Sequence, residues 1–167
     1  MVPLAVWIQT GHVCDQDQQA RGTQIMAQVR EERAEMIQTV EIPFRLPSLN
    51  EIIRLQSRMD RRTGHNEWNN LKAKVEHNIC FCLKGAGIRP MERIDHIVYT
   101  WHCAKARNGA IPDKSNIAAG GRKVIEDALV AYGAIPNDGW KEIGSWQDDF
   151  EIAEFWSVTV EMRVDDE

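Results

Sequence analysis

Four short stretches in the second half of the chain carry the residue types that phosphate chemistry uses. They are Asp113-Lys-Ser-Asn116, Arg122-Lys123, Glu126-Asp-Ala-Leu129 and Gly133-Ala-Ile-Pro-Asn-Asp138-Gly-Trp-Lys141. A phosphodiester is polyanionic, so its hydrolysis gains from a hard divalent cation that neutralises developing charge and activates a water. Mg²⁺ is held for this purpose by carboxylates and waters. Asp113 at a strand–loop junction and Asp138 in a turn after a helix converge if that helix returns the chain to the same sheet edge. Asn116 and Lys123 are seven residues apart, about two helical turns, so they share a helix face. The Lys123 ammonium, or that of the neighbouring Arg122 guanidinium in its place, is then available to a scissile phosphate or a leaving oxygen. Asp is also an ordinary turn and pre-helix residue, and Asp127 stands four residues after Lys123, the spacing of a plain surface ion pair.

The elements that must position these residues follow from pattern. Ile37-Gln-Thr-Val-Glu-Ile-Pro43 alternates as a half-buried strand does and ends at a proline. Ser48 or Asn50 precedes Ile52, Ile53 and Leu55 as a cap precedes a helix. From Asn66 to Leu83, Trp68, Leu71, Val75, Ile79 and Cys82 or Leu83 recur at helical spacing, and Gly85 and Gly87 supply the stop. Ile94 to Cys103 is β-branched and aromatic and reads as a buried strand leading into a loop from Ala104 to Pro112. Asn116 is placed to cap a second long helix whose stripe is Ile117, Val124, Ile125, Ala128, Leu129 and Tyr132, ending at Gly133. Two strands, Glu142 to Trp146 and Ile152 to Val164, close the chain. Interleaved elements without repeats predict an α+β fold, a small mixed sheet with helices packed on it.

At 167 residues, with 43% apolar and 27% charged side chains, one compact domain is expected, and disordered, fibrous and membrane classes are excluded. We place it at residues 36–167. Residues 1–35, with a weak helical stripe from Thr23 to Met36, form an N-terminal extension. The apolar opening Met1–Ile8 is shorter than the roughly 20 residues of a spanning helix. It also lacks the basic start and small-residue cleavage site of a signal peptide, so a cytoplasmic location without membrane partners is expected.

The net charge of −5 is unevenly distributed. Residues 54–123 hold fourteen basic and six acidic side chains, whereas residues 124–167 hold two basic and twelve acidic. A basic middle of this kind suits a polyanion if its charges share a face, and a merely solvated surface if they do not. Arg54, Arg58, Arg61, Arg62, Lys72, Lys105, Arg107 and Lys114 are the candidate phosphate contacts, and nothing resembles a base-reading element. His77, Cys80, Cys82, His102 and Cys103 do not have the spacing of a structural zinc site, and the cysteines are expected to be reduced. Trp101, Trp140, Trp146 and Trp156 are expected in core or interface positions rather than as base-stacking platforms.

Taken in order, Asp113-Lys-Ser-Asn116, Lys123, Asp127-Ala-Leu129 and Asp138, together with the upstream Leu46-Pro-Ser-Leu-Asn-Glu51, resemble the RusA-like Holliday junction resolvases of phage and prophage type. The matches span about residues 36–164. The resemblance implies a RusA-like fold and a Mg²⁺-dependent endodeoxyribonuclease, with Mn²⁺ as an alternative ion. The implied activity is resolution of four-way junctions in recombination and repair by a homodimer. It assigns catalysis to Asp113, Asp138 and Lys123, metal binding to Asp113, Asp138 and Ser115, and support to Asn116 and Asp127. Ser115 stands where the family has its second Asp, and a neutral hydroxyl is a poor ligand for a hard cation. The alternative is therefore a weakened or inactive member that binds branched DNA. A cytoplasmic interaction protein that shares the motif by coincidence is the remaining reading.

Overall fold

Every second side chain is buried in two segments, Met36–Ile42 (β1) and Ser157–Val164 (β4). That alternation is what a sheet with one covered face requires. A longer strand, Ile94–Ala104 (β2), buries Ile97, Tyr99, Trp101 and Cys103 on the same side. With Ile143–Ala153 (β3) these strands form a four-stranded mixed sheet in the order β1-β4-β2-β3. β4 runs antiparallel to both β1 and β2, and β3 runs parallel to β2. The computed structural model describes residues 36–59, 64, 66–111 and 113–165. The N-terminal extension, Arg61, Arg62 and Cys14 lie outside the described residues.

Three helices complete the α+β layer: Leu49–Gln56 (α1), Glu67–Gly85 (α2) and Lys114–Tyr132 (α3). Ile79, Leu83, Val124, Ile125, Ala128 and Leu129 from α2 and α3 share one core with Val40, Ile42, Ile97, Tyr99, Val160 and Met162 from the sheet. The opposite face of the sheet is polar: His96 meets Ser145, while His102 contacts Glu151 and Thr159. Among the described residues no helix is long and apolar enough to cross a membrane. Cys80, Cys82 and Cys103 are free thiols. Cys80 and Cys103 donate to the carbonyls of Ala128 and Trp101, so their sulfurs serve packing.

Two boundaries differ from expectation. The strand expected at Glu142–Trp146 runs on to Ala153, and the break falls at residues 154–156. β3 is an edge strand and most of its side chains meet water, so Gln147-Asp-Asp-Phe-Glu shows no apolar alternation although its backbone pairs with β2 throughout. The cap of α3 is Asp113, whose Oδ1 accepts the Asn116 amide at 2.9 Å. Asn116 does not cap the helix. Its Oδ1 accepts the Asn50 amide at 2.9 Å, satisfying one of the orphan donors at the start of α1.

Docking of α3 depends on Gly120 and Gly121, both buried in mid-helix. A Cβ on Gly120 would lie 2.6 Å from the Leu49 nitrogen, and one on Gly121 would lie 2.5 Å from the Trp101 ring. The α1 start, beside Gly120, is itself fixed. The Ser48 amide and hydroxyl both donate to Glu51, and Arg45 grips the same carboxylate at 2.9 and 3.0 Å. The Glu51 carboxyl sits below its usual range: burial opposes this, and the Arg45 and Ser48 hydrogen bonds outweigh it.

Candidate active site

The chain turns back on itself at the end of α3. Gly133 takes the left-handed conformation, φ 82°, that ends helices, and the amide of Ala134 returns to the Leu129 carbonyl at 2.9 Å. Residues 134–142 then run beside the helix they have just left, which brings Asp138 to Lys123. Lys123 Nζ donates to Asp138 Oδ2 at 2.6 Å and pairs with Asp127 Oδ1 at 2.7 Å. The other oxygen of Asp127 pairs with Lys72 Nζ at 2.8 Å, and Lys72 also reaches Glu76 at 3.3 Å.

A second set of charges lies on the neighbouring helix positions. Arg122 pairs with Asp148 at 3.2 Å, and that carboxylate also accepts the indole N–H of buried Trp101 at 2.9 Å. The Arg122 guanidinium lies 5.2 Å from the centre of the Trp146 ring, a cation–π distance. The hydroxyl of buried Tyr99 donates to Glu126 at 3.3 Å. These groups surround an open cleft of about 690 Å³, walled by Arg122, Lys123, Glu126, Asp138, Trp140 and Trp146.

The electrostatics follow from the contacts. Hydrogen bonds donated to Asp127 and then to Asp138 hold the Lys123 ammonium well above the usual lysine range. In return Lys123 holds the Asp138 carboxyl below its usual range. The Asp127 hydrogen bond likewise raises Lys72. Burial pushes Glu126 up against the opposing pull of Tyr99, Arg122 and Lys123, and burial raises the Tyr99 hydroxyl further. The cleft thus contains a fixed cation between two carboxylates and, beside them, a carboxyl that resists ionisation.

Of the residues expected in a site, Lys123, Asp127 and Asp138 come together, and Lys123 rather than Arg122 reaches Asp138. The structure does not bring Asp113 to Asp138. Asp113 precedes Lys123 by ten residues on one helix, about 15 Å of axis, and its carboxylate is engaged as the cap. Ser115 is exposed at that far end, and Asn116 binds α1. Arg54 is exposed on α1, Arg58 faces Glu67 at 3.9 Å, Lys105 and Arg107 stand in the exposed loop after β2, and Lys114 covers Phe150 at 5.1 Å.

Trp101 is buried, and Trp156 is partly buried with Arg45 lying 5.6 Å from its ring centre. Trp140 and Trp146, 99% and 56% exposed, correct the core half of the expectation and leave its interface half standing. Glu126, Tyr99 and Asp148 are site residues that sequence reasoning missed. The one sequence signal was Glu126 beside Asp127 in the helix stripe, because the Tyr99 and Asp148 contacts cross from helix to sheet.

Asp127 and Asp138 meet around a point that already holds one positive charge, an all-oxygen donor pair of the kind a hard cation takes with waters and a substrate phosphate. The Lys123 ammonium fills that point and Lys72 holds the other Asp127 oxygen, so these carboxylates are open to Mg²⁺ only where Lys123 moves off them. Among the described residues no group of three or more acidic, histidine or cysteine side chains gathers, and Asp113 and Ser115 lie outside the pair. No protein-family model matches the chain, and no curated protein matches it.

Proposed function

We propose that this chain is a Mg²⁺-dependent, structure-selective endodeoxyribonuclease that cleaves branched DNA such as a four-way junction, acting as a homodimer in recombination and repair. The observation that carries the reading is the Lys123 ammonium bridging Asp127 and Asp138 at the wall of an open cleft. Lys123 also lies on the helix that begins after Asp113. Mg²⁺ held by Asp127 and Asp138 would supply charge neutralisation at the phosphate and activation of a water. Lys123, released from one carboxylate, orients a phosphate oxygen and stabilises the departing alkoxide. Glu126, whose carboxyl burial pushes above the usual range, lines the same cleft and is the candidate to exchange a proton there. The test is cleavage of a labelled synthetic four-way junction with Mg²⁺, beside a linear duplex and a chelator control. Paired symmetric nicks confined to the junction and to Mg²⁺ are expected, and metal-independent nicking or indiscriminate duplex cleavage would overturn the reading.

One observation favours a second reading, a branched-DNA binding protein with weakened or lost catalysis. Ser115 is exposed at the start of α3, and the neighbouring Asp113 carboxylate is committed to the helix cap. Junction binding without nicks, with activity rising in Ser115→Asp, would support it.

A further inference from the structure

Exposed tryptophan is costly, since an aromatic side chain of this size buries 150–250 Å² when covered, yet Trp140 is 99% exposed and Trp146 is 56% exposed. Both stand at the same cleft. Neither sits on loose chain. Trp140 follows Gly139, whose carbonyl accepts the amides of Glu142 at 3.2 Å and Ile143 at 3.0 Å, so its backbone is wound into a closed turn. Trp146 lies on β3, paired to Ile97 of β2, with Arg122 against its ring. The backbone of Trp140 and the ring of Trp146 are thus fixed at the cleft, with little covering either indole.

The charges of the cleft narrow the choice of occupant. Arg122 is paired with Asp148, and Lys123 with both Asp127 and Asp138, so the cleft carries no excess of cations that would draw phosphates by charge alone. What it offers instead is aromatic surface, a guanidinium beside one ring, and Glu126 as a hydrogen-bonding group for a polar edge. A flat, polar-edged ring that stacks and hydrogen-bonds without needing net attraction meets those terms, and a nucleobase is such a ring. Its volume is a fraction of the 690 Å³ present, which leaves room for the attached sugar and a neighbouring nucleotide.

We infer that the cleft between Trp140 and Trp146 is a binding site for unpaired nucleobases of a DNA single strand, which stack on the two indoles. The site rests on the DNA reading above and gives it a means of selecting a branch, because bases at a crossover unstack more readily than bases inside a duplex. Stacking of this kind tolerates sequence and uses arginine as a secondary contact. The affinity it supplies depends weakly on salt, unlike affinity from phosphate contacts.

The test compares two labelled eight-nucleotide oligomers, one of thymidylate and one of the same length built entirely from abasic residues, binding to the full chain with a chelator present. The two share their phosphates and differ in their bases. Preferential binding of the thymidylate oligomer is expected, with quenching of tryptophan fluorescence. Trp140→Ala and Trp146→Ala each weaken it about 5- to 100-fold, Trp140→Phe restores most of it, and the abasic oligomer is unaffected by any of them. Trp140 packs against nothing that would unfold on its removal, so loss of binding in Trp140→Ala reports the ring. Equal affinity for the two oligomers, no binding of either, or unchanged thymidylate binding in both alanine variants would overturn the inference. Junction nicking separates the two readings. Nicking that survives without base preference sinks the stacking site alone, and base preference without nicking sinks the nuclease alone.

Discussion

The two stretches of α3 that resemble one functional motif are built in different ways. At its start, Asp113 and Asn116 are engaged by backbone amides, one capping its own helix and the other capping α1. About two to three turns further along, Lys123, Asp127, Arg122 and Glu126 are engaged by other side chains from α2, the sheet and the returning turn. A side chain that satisfies backbone can be exchanged for another capping residue with little loss, whereas a side chain in a charge network is tied to the chemistry of its partners. Under the nuclease proposal, structure falls to the first stretch and chemistry to the second.

The largest effect that would break this comparison concerns cleavage. Under the nuclease proposal Lys123→Ala and Asp138→Asn should each slow junction nicking by about 100-fold or more, the scale of losing one preorganised electrostatic group, while Asp113→Asn leaves the rate nearly unchanged. Single-turnover cleavage measures all three, and a loss in Asp113→Asn equal to the others would erase the distinction. Next in size is the link between the stretches. Gly120→Ala must displace backbone at Pro47–Leu49 and should lower stability by about 1–3 kcal/mol in urea titrations, despite the helix propensity gained. Smaller again, Asp113→Ala should cost about 1 kcal/mol as a lost cap, and Asp113→Ser much less.

The smallest effect is a pH dependence. Asp138 has a folded carboxyl below its unfolded value, so its pairing stabilises the protein above the ordinary Asp range and is lost as pH falls through that range and below. Lys123 is raised in the folded state. Its share is complete below the ordinary lysine range and disappears only as pH rises past the folded value. Lys123 is 58% exposed and Asp138 is 28% exposed, which limits the pair to about 1 kcal/mol or less. The melting temperatures of wild type and Lys123→Met should therefore differ at pH 7 and converge below about pH 4. Glu126 runs the other way. Its carboxyl is raised by burial, so the folded state loses stability as pH climbs through the range above the ordinary Glu value, and Glu126→Gln should melt higher than wild type at pH 7 but not at pH 4.

Much of this was legible in sequence where a signal was local. Alternation marked β1, β-branched and aromatic composition marked β2, three-to-four spacing marked α2 and α3, and Gly133 marked the turn that delivers Asp138. The i, i+4 pair of Lys123 and Asp127 was legible for the same reason. Contacts between distant segments were not. Glu126 meets Tyr99 and Arg122 meets Asp148 only because α3 packs across β2 and β3, which no spacing rule encodes. Asn116 looked like a cap because it is a good capping residue beside an apolar stripe, and Asp113 three residues earlier won that role. β3 was cut short because an edge strand facing water need not alternate.

That edge has a consequence for assembly. The outer margin of β3 presents backbone donors and acceptors, and such margins recruit further strands unless something prevents it. Asp149 and Glu151 sit along it, with Glu154 just beyond. A second copy laid antiparallel along the same margin would bring these acids against their own counterparts, and like charges directly opposite are unfavourable. Among the described residues the β3 margin thus carries a charge barrier against edge-to-edge pairing with its own copy.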